Sequence, residues 1–148
     1  MKDLLAAVKE LKKTGIKKQI ETRINEFKQF KFKSSEEIFN ELCFCILTAN
    51  FDAERAIKIQ KELSNGFLIL PEHKLAKKLK QNGYRFPNTR AKYISEAREY
   101  NKSIKETINS FKGEELRDYL VKNIKGLGYK ESSHFLRNIG YSNYAIID

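Results

Sequence analysis

The stretch Ile124-Lys125-Gly126-Leu127-Gly128-Tyr129-Lys130 holds two glycines two positions apart and ends in a lysine. It lies between two amphipathic helical patterns, 114–123 and 129–139. The spacing predicts helix, tight turn, helix. Glycines let the chain reverse through positive φ and leave backbone N–H groups uncovered at the start of the second helix. Such a helix start attracts anions, and for a basic protein the first candidate is a phosphate. A simple tight turn would use the same two glycines. Lys122, Lys125 and Lys130 crowd the turn, an arrangement that favours an anion between them. Phosphate contacts of that kind, with Lys125, Gly126 and Gly128 the candidates, position a protein without reading sequence.

The second helix decides what else the turn does. At 100° per residue, Lys130, Ser133, His134 and Arg137 fall on one face, while Phe135, Leu136 and Ile139 face inward. A solvated basic face is the plainer reading. The functional reading starts from Lys130 in the first turn, where the helix N-terminus and neighbouring cations disfavour an ammonium. A lysine so placed becomes a usable amine, able to attack an electrophilic carbon and form a Schiff base. Asp148 follows eighteen residues later, within reach of a loop over 140–147. Its carboxylate would stabilise positive charge at an anomeric carbon or help take the lysine proton. His134 is expected to meet phosphate or solvent rather than a metal, because no second ligand is spaced for it and His73 does not pair with it.

Composition sets the partner class. The 148 residues carry 29 basic and 19 acidic side chains, a net charge of +10. That balance suits a polyanion, although Lys- and Glu-rich surfaces also serve thermal stability. The length suits one domain with a real core. Cys43 and Cys45 point to different helix faces, so neither a disulfide nor a metal site is expected from them. They read as small core residues in a reducing compartment. The longest apolar run, 42–49, is too short to span a bilayer, so a cytoplasmic protein is expected. No P-loop, dinucleotide fingerprint or Ser–His–Asp signature occurs.

From the start, Asp3 is expected to cap a helix over 4–13 whose buried face is Leu4, Leu5, Val8 and Leu11. A second helix, 16–30, should bury Ile16, Ile20, Ile24 and Phe27. Ser34-Ser35-Glu36-Glu37 is a capping box opening 35–48, apolar on most sides and therefore the central helix. Asp52 caps 53–64. Residues 67–70 read as a buried connector, since a lone strand leaves its backbone unsatisfied. Helices follow over 72–82, over 90–102 behind an Asn88 or Thr89 cap, and over 103–111. The expectation is an all-α fold of about eight helices.

The segment Lys125-Gly-Leu-Gly-Tyr-Lys-Glu-Ser-Ser-His-Phe-Leu-Arg-Asn-Ile-Gly140, followed by Asn143-Tyr-Ala-Ile-Ile-Asp148, resembles the signature of the archaeal-type 8-oxoguanine DNA glycosylase/AP lyase family. That family sits within the helix-hairpin-helix DNA glycosylase superfamily, a fold of two helical lobes. The resemblance implies that Lys130 is the Schiff-base nucleophile and Asp148 the catalytic carboxylate. Leu42-Cys-Phe-Cys-Ile-Leu-Thr-Ala-Asn50 looks like the superfamily helix whose terminal polar residue fills the gap left by a flipped base, which implies that role for Asn50. Gly83-Tyr-Arg-Phe-Pro-Asn-Thr-Arg-Ala91 is similar to the loop that wedges beside the orphaned base, pointing to Tyr84, Arg85 or Phe86. A helix C-cap and a core aromatic are the plainer readings of Asn50 and Phe86.

The resemblance further implies excision of 8-oxoguanine from double-stranded DNA by a monomer that needs no cofactor. Such a protein would be nucleoid-associated. Family members continue past the aspartate, so residues 1–148, with the hairpin unit at 114–139, are expected to lack a C-terminal segment that helps shape the base pocket. Three other readings stay open: a glycosylase for oxidised pyrimidines, a non-catalytic hairpin module that only grips duplex DNA, and a basic helical bundle with no DNA affinity.

Overall fold

The computed structural model describes residues 2–13, 15–141 and 144. Among these the order is α1 (Lys2–Lys12), α2 (Gly15–Phe30), α3 (Ser35–Thr48), α4 (Ala53–Leu63), α5 (Gly66–Ile69), α6 (Glu72–Gln81), α7 (Pro87–Ala97), α8 (Ile104–Ser110), α9 (Glu114–Asn123) and α10 (Tyr129–Asn138). A 3-10 turn, Arg98–Tyr100, joins α7 to α8, and no strand occurs among the described residues. The all-α expectation holds.

Helix α3 is the centre. Ser34 Oγ accepts from the Glu37 N–H at 3.2 Å, and Glu37 Oε2 accepts from the Ser34 N–H at 3.1 Å, so the predicted capping box forms. Behind that cap the helix buries Ile38, Phe39, Leu42, Cys43, Phe44, Cys45, Ile46 and Leu47. Helices α4, α5, α7, α8 and α10 pack around it. Asp52 caps α4 by accepting from the N–H groups of Glu54 and Arg55 at 2.8 and 3.3 Å. Cys43 and Cys45 are free and buried, and burial pushes both thiols well above the usual range. They act as small apolar residues.

Four expectations are corrected. Residues 66–69 form a helical turn, with Asn65 O and Gly66 O accepting from Leu68 N–H and Leu70 N–H at 2.9 and 3.0 Å. Local bonds thus satisfy a backbone that a lone strand would leave open. The long helix expected over 90–102 starts instead at Pro87, where the missing N–H costs nothing, and gives way to the 3-10 turn at Arg98. Asp3 lies inside the first turn of α1 rather than capping it. Most consequential, Leu4, Leu5, Val8 and Leu11 of α1 and Ile16, Ile20 and Ile24 of α2 are exposed. The periodicity names an apolar face, and that face stays largely exposed among the described residues. Phe27 is half-buried, its ring covered by the guanidinium groups of Arg23 and Arg137 at 4.4 and 5.1 Å. No helix among the described residues is long and apolar enough to cross a membrane.

Candidate active site

The hairpin between α9 and α10 is anchored by two buried side chains, Ile124 and Leu127. Gly126 has φ +87°, and a Cβ there would lie 2.6 Å from Tyr93 Cδ2 and 3.3 Å from Ile46 Cγ2. Both backbone and space demand glycine. Gly128 differs from the expectation: its φ is −82°, and its N–H is not bare. That N–H donates to Glu131 Oε2 at 3.0 Å, while Gly128 O accepts from Ser132 N–H at 2.9 Å. Glu131 therefore caps α10 in cis, a role the sequence reading missed although a glutamate at the third helical position is a cap signal. Lys125 is exposed and lies 3.9 Å from Glu96 of α7, an ion pair too open to add much stability.

Lys130 projects from the first turn of α10 and is exposed. It shares a cleft of about 250 Å³ with Glu131, His134 and Arg137 of α10 and with Thr48, Phe51 and Ala53 at the end of α3 and the start of α4. His134 stands edge-on to Phe44, with ring centroids 5.9 Å apart. Burial, then the charges of Arg137 and Lys130, lower the imidazole pKa to about 4, so the ring is neutral at physiological pH. Ser133 does not join this face as expected. It is fully buried, and its Oγ accepts from Arg117 at 3.3 Å. Arg137 donates to Asn138 Oδ1 at 3.0 Å, and Asn138 Nδ2 donates to Glu41 Oε1 at 2.7 Å, which fastens α10 to α3.

Asn50 follows α3 with φ +57° and an exposed side chain. Asparagine is among the few L residues that tolerate this backbone, so it turns the chain while projecting outward. Tyr84 is excluded as a wedge. It is buried, its hydroxyl donates to Leu47 O at 2.8 Å, and its ring lies 4.5 Å from Phe51. Arg85 is exposed, and its guanidinium stands 5.1 Å from the half-buried Phe86 ring. Arg55 of α4 donates to Gly83 O at 2.9 Å. The end of α3 and the loop before α7 are thereby tied together, and Phe51, which packs on Tyr84, also lines the Lys130 cleft. Asp148 lies outside the described residues; four positions before it, Tyr144 donates to Gly113 O at 2.7 Å. Among the described residues no three His, Cys, Asp or Glu side chains are grouped to hold a metal ion.

A glycine hairpin beside a lysine-lined basic cleft, on helices packed around α3, defines the helix-hairpin-helix DNA glycosylase fold. The family model for 8-oxoguanine DNA glycosylase matches residues 20–148, and the chain belongs to that family. An 8-oxoguanine DNA glycosylase/AP lyase of Methanocaldococcus jannaschii is 58% identical over 146 residues, covering 98% of this chain and 70% of the relative. The protein of the same name from Korarchaeum cryptofilum is 49% identical over 147 residues, covering 99% and 69%. A crystal structure of the Methanocaldococcus jannaschii 8-oxoguanine glycosylase/lyase with a 15mer DNA containing 8-oxoguanine superposes with TM-score 0.93 at 56% identity, covering 98% of this chain and 70% of that one.

Proposed function

We propose that this chain acts in base excision, removing 8-oxoguanine from double-stranded DNA and then nicking the strand. The observation that carries the reading is Lys130, exposed at the first turn of α10 and opening into a cleft walled by Phe51 and a neutral His134. Its Nζ attacks C1′ of the flipped nucleotide. The C1′–N9 bond breaks, the base leaves with the bonding pair and takes up a proton, and ring opening gives an imine on Lys130. Loss of a C2′ proton then expels the 3′ phosphate by β-elimination. Asp148 stabilises the developing charge at C1′ or receives the lysine proton.

Rotating a nucleotide out of the stack costs about a few kcal/mol. Asn50 fills the vacated space, and Phe86 with Arg85 stacks beside the orphaned base. Lys125, Gly126 and Gly128 meet the backbone, and His134, kept neutral, offers the flipped nucleotide a hydrogen bond without adding charge. In this reading the enzyme is a cytoplasmic, nucleoid-associated monomer, and residues 1–148 belong to its helix-hairpin-helix glycosylase domain, with the hairpin unit at 114–139. The resemblance to relatives that bear this name and the shape of the cleft support it.

The test offers duplex oligonucleotides bearing 8-oxoguanine or thymine glycol. The reading expects cutting at 8-oxoguanine alone; preferential cutting at thymine glycol makes the protein an oxidised-pyrimidine enzyme, and cutting of neither leaves it a DNA-binding module.

A further inference from the structure

We infer that Arg90 is a positioning residue for opening the duplex: it binds the end of α3 that presents Asn50 to the loop that presents Phe86, so that the two enter DNA as one body. The inference rests on the reading of the site given above. Arg90 sits at the fourth position of α7, and its own N–H donates to Phe86 O at 3.1 Å. Its Nη2 donates to Ala49 O at 3.3 Å, across forty-one residues. The same guanidinium stands 5.3 Å from the centroid of Phe86 and 5.6 Å from that of Tyr93. One planar cation therefore touches the residue before Asn50, the ring of Phe86, and the ring that limits Gly126.

The chemistry suits arginine and no other side chain. The last carbonyls of α3 have no helical partners, and a cation there answers both the open acceptors and the negative end of the helix dipole. Tyr84 serves Leu47 O, and Arg90 serves Ala49 O. Asn50 then turns at φ +57°, which asparagine tolerates, and Arg90 holds the carbonyl just before that turn. Without the bond to Ala49 O, Asn50 loses its fixed exit direction. Without the cation beside its ring, Phe86 is free to leave its half-buried position. Lysine could supply the charge but not a guanidinium that bonds Ala49 O while lying within 5.3 and 5.6 Å of two ring centroids. The neighbouring Arg85 also stands over Phe86 but is exposed, so it is available to DNA while Arg90 is committed inward.

The test compares the wild-type protein with Arg90→Gln and Arg90→Lys on two duplexes. One carries 8-oxoguanine with 2-aminopurine as its 3′ neighbour, whose fluorescence rises on unstacking. The other carries a preformed abasic site, which has no base to extrude. In single turnover, Arg90→Gln is expected to slow 8-oxoguanine excision by about 10-fold and to lower the saturating fluorescence rise, while abasic-site cleavage falls by about 2-fold at most. Arg90→Lys should recover stability and only part of the excision rate. Fluorescence and excision both at wild-type level overturn the inference, as does an equal loss on the two duplexes. If wild-type protein unstacks 2-aminopurine but never cuts at 8-oxoguanine, the proposed reaction fails, while the fluorescence comparison still decides for or against Arg90.

Discussion

Gly126 and Gly128 do different work although the sequence presents them as a pair. Gly126 needs its positive φ and the space against Tyr93. Gly126→Ala should therefore cost about 2–4 kcal/mol in urea unfolding, combining backbone strain with overpacking. Gly128 has an ordinary φ, and a Cβ there would meet only Glu131 Oε2 at 2.7 Å. Gly128→Ala should displace that flexible cap at a cost of about 1 kcal/mol. His134 gives a pH prediction. Its pKa is lowered from 6.5 to about 4 on folding, so the unfolded chain takes up a proton that the folded chain refuses. Stability should be fully present above pH 6.5 and fall as pH drops toward 4, by about 1–2 kcal/mol once its partial exposure is allowed for. His134→Gln should flatten that part of a Tm-against-pH curve. At this scale Lys130 and the hairpin were legible because glycine, lysine and helix phase are local signals. Ser133 was misplaced because α9 covers its side of the helix, and Arg90 went unread because its partner Ala49 lies forty-one residues away.

Among the elements, α3 is where sequence and structure agree most closely. An apolar run too wide for a single stripe, opened by a capping box, admits only a helix surrounded on most sides. Phe39→Ala, which empties a fully buried site on α3, should cost about 3–5 kcal/mol in chemical denaturation. Bounds were readable where caps are local: Ser34 for α3, Asp52 for α4, and the glycine turn for α9. They were misread where the decisive term is not a propensity. Pro87 begins α7 through its missing N–H, and residues 66–69 coil because that satisfies their own carbonyls. Helices α1 and α2 show the limit of periodicity. It identified which face is apolar, yet says nothing of what lies against that face.

At the scale of the whole molecule, the charge of +10 becomes a statement about affinity. If the hairpin and its neighbours neutralise about five phosphates, undamaged duplex should bind about 10²–10³-fold more weakly at 200 mM than at 50 mM salt. Lys125→Gln should reduce the slope of log affinity against log salt by about 1, uniformly across sequences. Composition alone reached only a polyanionic partner. The substrate was legible through the family signature spanning residues 125–148 rather than through charge or period. The packing around the end of α3, where Tyr84 and Arg90 bond its last carbonyls and Phe51 lines the Lys130 cleft, was not legible in the sequence. The proposed reaction runs through a covalent imine between Lys130 and DNA. Borohydride reduction during incubation with an 8-oxoguanine duplex should trap a protein–DNA adduct with the wild-type protein and none with Lys130→Gln. An adduct that persists in Lys130→Gln would rule out Lys130 as the nucleophile, and 8-oxoguanine excision by the wild-type protein with nothing trapped would rule out the imine.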